Sequence, residues 1–258
     1  STGPSTRSGA RYEKISNSIG SPNATHYASV SINSSSVVNL QSTCPIYTPS
    51  SHHHSFRETL FSLSDDSLWH SLQMDGDGEW LADSAVDGTL DICNDGSYMP
   101  ELSKTACSGA FILHCSRTKQ EIRGCFTDSS PDSDNYRGEL LGALGSLLLL
   151  TAAFKSRPDL DQEGLSNLNQ RAHCDNRGVV LHGNKPNTAL KDGQKQADLI
   201  RLLKSYTRKL PCKVEWIHIH AHADNHTKWE DLTHLQQLNV RCDKRAKKGL
   251  RHQAIFSG

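Results

Sequence analysis

One stretch of the sequence combines a strand pattern with side chains that could do chemistry, and it runs from Leu90 to Tyr98. Because the side chains of a strand alternate between two faces, Asp91 and Asp95 share a face, and Asp95 comes where the strand ends beside a Gly-Ser turn. One of these two carboxylates is therefore expected at the surface of a sheet. We take Asp95 as the first candidate site residue.

Three further acidic residues stand in contexts that could bring them to the same place. Glu139 opens an apolar run, Asp175 follows a His-Cys pair, and Asp243 lies in a basic segment near the C-terminus. Four converging carboxylates cannot all stay ionised without cations between them, because each negative charge disfavours the next. Hard cations with oxygen ligands meet this need. The sequence therefore predicts a site made of carboxylates and cations.

Length, charge and cysteine content set the outer limits of the interpretation. The 258 residues suffice for one generous domain with tails or for two small domains. Lys plus Arg and Asp plus Glu both number 28, so any surface for a polyanion must be local. One local basic cluster lies between Arg241 and Arg251 on a predicted helix, where a solvated helix face explains it equally well.

The cysteine pattern indicates reduced thiols. The eight cysteines show no CxxC spacing and no secretory leader precedes them, which argues against a zinc ribbon and predicts an intracellular protein, nuclear or cytoplasmic. The first residue is Ser rather than Met, so we expect a fragment of something longer or a processed product.

Composition divides the chain into four parts. Residues 1–55 are rich in Ser, Thr, Asn and Pro with almost no periodic apolar pattern, which predicts disorder. Residues 56–88 are more apolar and are expected to form a leader that packs on the next part. Residues 89–250 are expected to form the main domain, and residues 251–258 a tail.

The main domain begins with three strand-like runs. After the strand that ends at Asp95, runs over 106–115 and 121–127 predict an antiparallel meander. The apolar stretch from Leu140 to Phe154 is too short for a membrane span and opens on a charge, so it predicts a buried core helix with Glu139 in its first turn.

Later elements extend this pattern. They are a polar strand over 168–175, a helix over 194–210, a strand over 214–219 and a last helix over about 233–248. The order predicts an α/β fold with a mixed sheet, in which the antiparallel strands come first and parallel strands are added afterwards.

Several short motifs in this order carry a resemblance to a known family. They are Asn-Asp-Gly-Ser at 94–97, Arg-Gly-Glu-Leu at 137–140, Cys-Asp-Asn at 174–176, His222 after the last strand, and Asn-Val-Arg-Cys-Asp-Lys-Arg-Ala at 239–246. Together they resemble type 1 ribonuclease H, and more narrowly the ribonuclease H-like domain attached to the reverse transcriptases of eukaryotic retroelements. The resemblance covers about residues 89–250 and implies a five-stranded mixed sheet flanked by helices.

The resemblance also implies an activity, which is hydrolysis of the RNA strand of an RNA/DNA hybrid with two Mg²⁺ ions, for which Mn²⁺ could substitute. The expected partners are the hybrid and a reverse transcriptase domain upstream in the same polyprotein, with no membrane. The residues that match the family's metal-binding carboxylates are Asp95, Glu139, Asp175 and Asp243.

Further residues are given roles beside these acids. His222 matches a mobile histidine that helps the reaction or the release of product, whereas Asp91 has no match and is interpreted as a structural or edge residue. Ser97 and Asn176 are expected to contact phosphate or the minor groove, where a 2′-hydroxyl distinguishes RNA from DNA. Arg137 is expected to follow the nucleic-acid backbone.

Two other interpretations stay open on the sequence. The strand before Asp175 is unusually polar, His220 replaces a usual Lys or Gly, and the loop before the last helix is long, which would fit a nucleic-acid-binding remnant that has lost turnover. Asp243 could simply pair with Lys247 at helical spacing.

A second alternative is a zinc site formed by His218, His220, His222 and His226, with Cys242 as a further ligand.

Overall fold

The computed structural model describes residues 54–64, 71–220 and 223–256, together with three short strands nearer the N-terminus. The chain divides into two compact units, residues 1–53 and residues 54–258.

The first unit contains an antiparallel sheet. Its strands are β1 (Arg11–Ile15), β2 (His26–Ile32) and β3 (Val38–Ser42), in the order β1-β2-β3. Within β2, Ala28, Val30 and Ile32 alternate with Ser and Tyr, the period of two that a strand imposes. The disorder expected for residues 1–55 stays a prediction. The residues between these strands lie outside the described part of the chain.

The second unit is built on a mixed sheet of six strands in the order β4-β7-β6-β5-β8-β9. The neighbours from β4 to β5 are antiparallel, and β5-β8 and β8-β9 are parallel. The strands are β4 (Gln73–Met74), β5 (Leu90–Ser97), β6 (Ala106–Cys115), β7 (Glu121–Ser129), β8 (Asn169–Cys174) and β9 (Lys213–His218). This confirms the predicted fold class, with β4 as a sixth strand that the sequence pattern did not indicate.

Seven α-helices flank the sheet in the described part of the second unit. They are α1 (Phe56–Leu63), α2 (Trp80–Val86), α3 (Asn135–Lys155), α4 (Gln162–Asn167), α5 (Arg177–Gly183), α6 (Ala197–Lys209) and α7 (His234–Phe256). Helix α7 continues beyond its expected end, so the expected tail over 251–258 begins inside it. The extension is anchored by Leu250, which is fully buried, and by Gln253, whose Nε2 donates to Ser129 Oγ at 2.8 Å.

Helix α3 is the central core element. Asp134 caps its first turn by accepting from the backbone N–H of Arg137 at 2.7 Å, so Glu139 falls in the second turn rather than the expected first turn. Among the described residues, this is the one helix long and apolar enough to cross a membrane, and 94% of its apolar window is buried inside the domain. That burial fits the predicted core helix.

The segment before the main domain shares its core. Phe56, Leu60 and Leu81 are fully buried in the same apolar cluster as Ile92 of β5. Residues 65–70 of this segment lie outside the described residues.

The polar strand β8 is accommodated by specific hydrogen bonds. Gln170 is buried and its Nε2 donates to the carbonyl of Ala85 at 2.7 Å, while His173 Nδ1 lies 3.1 Å from the carbonyl of Ile92. The other two polar residues of the strand, Asn169 and Arg171, are exposed. Because its buried polar groups are paired, a strand of this composition costs little.

Helix α3 touches the sheet at the level of the backbone. A Cβ placed on Gly109 would lie 2.1 Å from the carbonyl oxygen of Gly138 and 2.2 Å from the nitrogen of Gly142. A Cβ on Gly96 would lie 2.3 Å from the nitrogen of Glu139. Only glycine allows two backbones to approach this closely, so these positions set the distance between α3 and strands β5 and β6.

We therefore expect Gly109→Ala to lower the free energy of unfolding by about 3 kcal/mol, because the added methyl group meets backbone atoms that cannot turn aside. Urea unfolding of the variant and the parent chain measures the difference. Gly193→Asn is the matched control, since Gly193 has nothing within 4 Å of a Cβ and its positive φ of 69° is tolerated by Asn. Equal stability of Gly109→Ala and the parent would contradict the close approach.

Candidate functional site

Asp95 lies in β5 with a buried carboxyl group that accepts two hydrogen bonds. Its Oδ1 accepts from the backbone N–H of Gly96 at 2.7 Å, and its Oδ2 accepts from Nδ2 of Asn239 on α7 at 3.3 Å. These donors fix the direction in which the carboxylate points.

Glu139 of α3 lies directly beside Asp95. Its side chain is buried, with 2% of the residue exposed, and its carboxyl group is hydrogen-bonded to that of Asp95. Nδ2 of Asn135, one helical turn earlier, donates to Glu139 Oε1 at 3.2 Å. The glycine contact between α3 and β5 thus brings a second carboxylate to the end of the strand.

Asp175 joins the pair from the end of β8. Ligand atoms of Glu139, Cys174 and Asp175 all lie within 4.8 Å of one another. The thiol of Cys174 donates to Glu139 Oε2 at 3.8 Å, and burial raises its pKa well above the usual value, so it stays protonated. Parallel pairing of β8 with β5 places these residues next to Asp95.

Asp243 approaches from α7. It lies one helical turn after Asn239, and its negative charge acts on Asp95. Nζ of Lys247 donates to Asp243 Oδ2 at 2.8 Å, so the pair expected from helical spacing does form. The structure therefore brings Asp95, Glu139, Asp175 and Asp243 into one electrostatic cluster.

The cluster disfavours full ionisation of its own members. Burial, followed by the charges of Asp175 and Asp243, raises the pKa of Asp95 to about 8. Burial, followed by the charge of Asp95, raises the pKa of Glu139 well above its usual value, which favours a proton held between the two carboxyl groups. Proton sharing of this kind is expected where carboxylates meet without a counter-ion.

The donors fit a hard divalent cation. The four carboxyl groups offer oxygen ligands, which Mg²⁺ and Mn²⁺ prefer, and two of the groups are held by fixed amide donors. A cation bound there would replace the shared proton. The arrangement can therefore hold divalent cations at the ends of β5 and β8.

Ser97 and Asn176, which were expected to contact nucleic acid, both lie next to acids of the cluster. Ser97 is buried at the end of β5. Asn176 is half-buried and caps α5, because its Oδ1 accepts from the backbone N–H groups of Gly178 at 2.8 Å and Val179 at 3.3 Å. Their contact with nucleic acid stays a prediction.

Arg137 differs from its expected role. Its side chain is 11% exposed and ion-paired with Asp128 and Asp198, and its Nη1 also donates to Gln196 Oε1 at 2.8 Å. The network joins the start of α3 to β7 and α6. Because burial and two carboxylates hold the guanidinium inside the domain, a contact of Arg137 with a nucleic-acid backbone is not supported.

The histidine segment is described only in part. His222 lies outside the described residues, so its expected role in the reaction stays a prediction. The rings of His218 and His220 are 6.0 Å apart, and Nε2 of His218 lies 3.0 Å from the carbonyl of Asp175. Cys242 is fully buried, and its thiol donates to the carbonyl oxygen of Cys93 in β5 at 3.4 Å, so its place as a further zinc ligand beside these histidines stays a prediction.

Two site residues were missed by the sequence reasoning. Asn239 and Asn135 each lie four positions before an acidic residue of the cluster, Asp243 and Glu139 respectively. Helical i,i+4 spacing could have indicated both. Without the helix bounds, however, an asparagine at this spacing carries little information.

Comparison with known proteins gives structural similarities only. No family model matches the chain, and no curated protein matches it. A solved structure of the N-terminal RNase H domain of Rv2228c from Mycobacterium tuberculosis is 10% identical, with a TM-score of 0.37, covering 62% of this chain and 96% of that one.

Two further solved structures are similar in the same way. RNase H1 from Halobacterium salinarum is 12% identical over 66% of this chain and 98% of that one, with a TM-score of 0.36. The PFV RNase H domain is 12% identical, with a TM-score of 0.43, and the match covers 63% of this chain and 94% of that one. At these identities and TM-scores the similarities carry no inference about activity.

Proposed function

We propose that this chain hydrolyses the RNA strand of RNA/DNA hybrids, with two divalent cations held by Asp95, Glu139, Asp175 and Asp243. The observation that carries the proposal is the convergence of these carboxyl groups, two of which, Asp95 and Glu139, have raised pKa values. The motifs that resemble type 1 ribonuclease H supply the substrate class.

Each acidic residue has a distinct position in this proposal. Bound Mg²⁺ would activate a water molecule and relieve the charge on the departing 3′ oxygen. Asp95 is held by Gly96 and Asn239 and keeps its carboxylate in a fixed direction, as a bridging ligand requires. Glu139 comes from α3 and Asp175 follows β8, with ligand atoms within 4.8 Å of each other, and Asp243 comes from α7.

The nucleic acid would lie across the ends of β5 and β8. Ser97 and Asn176 follow the two strand-borne acids directly and are proposed to contact phosphate or a 2′-hydroxyl. On α7, Lys244, Lys248 and Arg251 are exposed at spacings of four and three residues and so lie on one face. We propose this face as the basic surface that follows a phosphate backbone, in place of Arg137.

The association with a reverse transcriptase is part of the same proposal. It is supported by three segments that resemble the ribonuclease H-like domains of retroelement reverse transcriptases, namely Asp-Gly-Ser-Tyr-Met at 95–99, Tyr-Arg-Gly-Glu-Leu-Leu-Gly at 136–142 and Gln-Leu-Asn-Val-Arg-Cys-Asp at 237–243. In that arrangement, a polymerase domain in the same polyprotein would produce the hybrid that this domain cuts.

The central prediction concerns Asp95→Asn in a cleavage assay with a labelled RNA/DNA hybrid and Mg²⁺. The parent chain should cut the hybrid but neither duplex DNA nor duplex RNA, and Asp95→Asn should lower the rate by at least about a thousandfold, because one ligand that organises both cations is lost. Hybrid binding, measured separately by fluorescence anisotropy, should persist.

Asp192→Asn is the matched control, since Asp192 is exposed on a loop before α6. It should cut at the parent rate. If the parent chain binds the hybrid but does not cut it in Mg²⁺ or Mn²⁺, the proposal fails, and the chain is a binding remnant of the same fold.

A second prediction follows from the raised pKa values. The pKa of Asp95 rises from 3.8 to about 8 on folding, so between these pH values the folded chain binds more protons than the unfolded chain. This difference stabilises the fold at low pH, and the stabilisation is lost as pH rises through that range. Without divalent cations, the free energy of unfolding should fall between pH 4 and pH 8, by up to about 1 kcal/mol per pH unit for this group. Added Mg²⁺ should stabilise the chain more at pH 8 than at pH 5.

Urea unfolding at several pH values, with and without Mg²⁺, measures these effects. Asp95→Asn removes the titrating group, so its stability should depend less on pH and on Mg²⁺ than that of the parent. Identical pH profiles for the two proteins would show that the cluster does not share protons as described.

A further inference from the structure

A second group of metal-ligating side chains lies apart from the four carboxylates. Asp91 of β5 and His114 of β6 are direct cross-strand neighbours, and His234 is the first residue of α7. His234 Nε2 lies 3.1 Å from His114 Nδ1 and 3.5 Å from Asp91 Oδ2, and His114 Nδ1 lies 3.7 Å from Asp91 Oδ2. Three ligand atoms from three elements thus form a small triangle.

The triangle has the size that a tetrahedral zinc ion requires. Zinc binds imidazole nitrogen and carboxylate oxygen at about 2.0–2.2 Å, so two ligand atoms at a tetrahedral angle are about 3.3 Å apart. The three distances of 3.1, 3.5 and 3.7 Å lie close to that value. The triangle is too wide to be a set of strong hydrogen bonds, since only its shortest side falls within hydrogen-bond range.

The unequal exposure of the three side chains suits a metal ion with one coordination position open to water. The side chain of His114 is 6% exposed, while those of Asp91 and His234 are 28% and 46% exposed. The protein therefore encloses one side of the triangle and leaves the other side to water, which could supply a fourth ligand. Burial, with the neighbouring His234, lowers the pKa of His114, which keeps its imidazole neutral as a ligand must be.

We propose that Asp91, His114 and His234 bind one zinc ion per chain. The donor set of two imidazoles and one carboxylate is typical of zinc rather than Mg²⁺, which prefers oxygen ligands alone. The ion would fasten the first residue of α7 to the sheet. Since α7 also carries Asn239 and Asp243, a fastened α7 would hold the carboxylate cluster in place without being part of it.

The proposal does not depend on hydrolysis of hybrids, and metal binding tests it directly. The full chain, purified without a His tag, is loaded with Zn²⁺, desalted and analysed for bound metal, and Co²⁺ is then titrated in while its visible absorption is followed. We expect one retained zinc per chain and the intense absorption of tetrahedral cobalt. Both signals should be lost in His234→Ala and in Asp91→Asn.

Variants elsewhere in the chain separate this site from other metal ligands. Asp95→Asn, His220→Ala, and a variant with alanine at His52, His53 and His54 should each keep the zinc, because they alter the carboxylate cluster and the other histidine segments. Zinc should also raise the Tm of the parent chain but not that of His234→Ala. His234 is exposed at the start of a helix, so this variant is expected to fold, which circular dichroism checks.

Three results would overturn the proposal. The first is retention of zinc by folded His234→Ala and Asp91→Asn proteins. The second is loss of zinc in Asp95→Asn, which would assign the metal to the carboxylate cluster. The third is loss of zinc in His220→Ala or in the variant at 52–54, which would assign it to a surface histidine segment.

Discussion

The direct contact between the backbones of α3 and the sheet is the constraint on which the second unit depends. At Gly96 and Gly109 no side chain could fit, because the backbone of the helix at Gly138, Glu139 and Gly142 lies directly against these two positions of β5 and β6. This approach carries Glu139 to the carboxyl group of Asp95. A larger residue at either position would lift the helix and separate the two acids, so packing and site geometry are fixed by the same atoms.

Bringing two carboxyl groups together inside the protein costs electrostatic free energy. Asp95 and Glu139 are buried together. Burial and the charges of Asp175 and Asp243 raise the pKa of Asp95, and burial and the charge of Asp95 raise the pKa of Glu139. The fold offsets part of this cost with amide donors, Asn239 of α7 for Asp95 and Asn135 of the same helix for Glu139. In the proposed function a divalent cation bound between the carboxylates would relieve the remaining cost.

Helix α7 links the sheet to the site along its whole length. Its buried residues Leu238, Cys242 and Ala246 pack on Cys93 and Ile112, and residues on an adjoining face reach Asp95. Its first residue meets Asp91 and His114. A single helix therefore combines core packing, a candidate metal ligand at its start, an acid of the cluster and an exposed basic face.

The α/β class and the order of antiparallel and then parallel strands could be predicted from the sequence, because strand alternation and apolar periodicity are local properties of the chain. Short motifs likewise pointed to the four acids that the fold brings together, and their role stays a prediction. The sequence did not determine that Arg137 is buried between Asp128 and Asp198, that β4 adds a sixth strand, or that α7 continues to Phe256. Nor did it indicate that Asp91, interpreted as an edge residue, meets His114 and His234. Those features depend on contacts between residues far apart in sequence, and only the tertiary structure decides which distant side chains become neighbours.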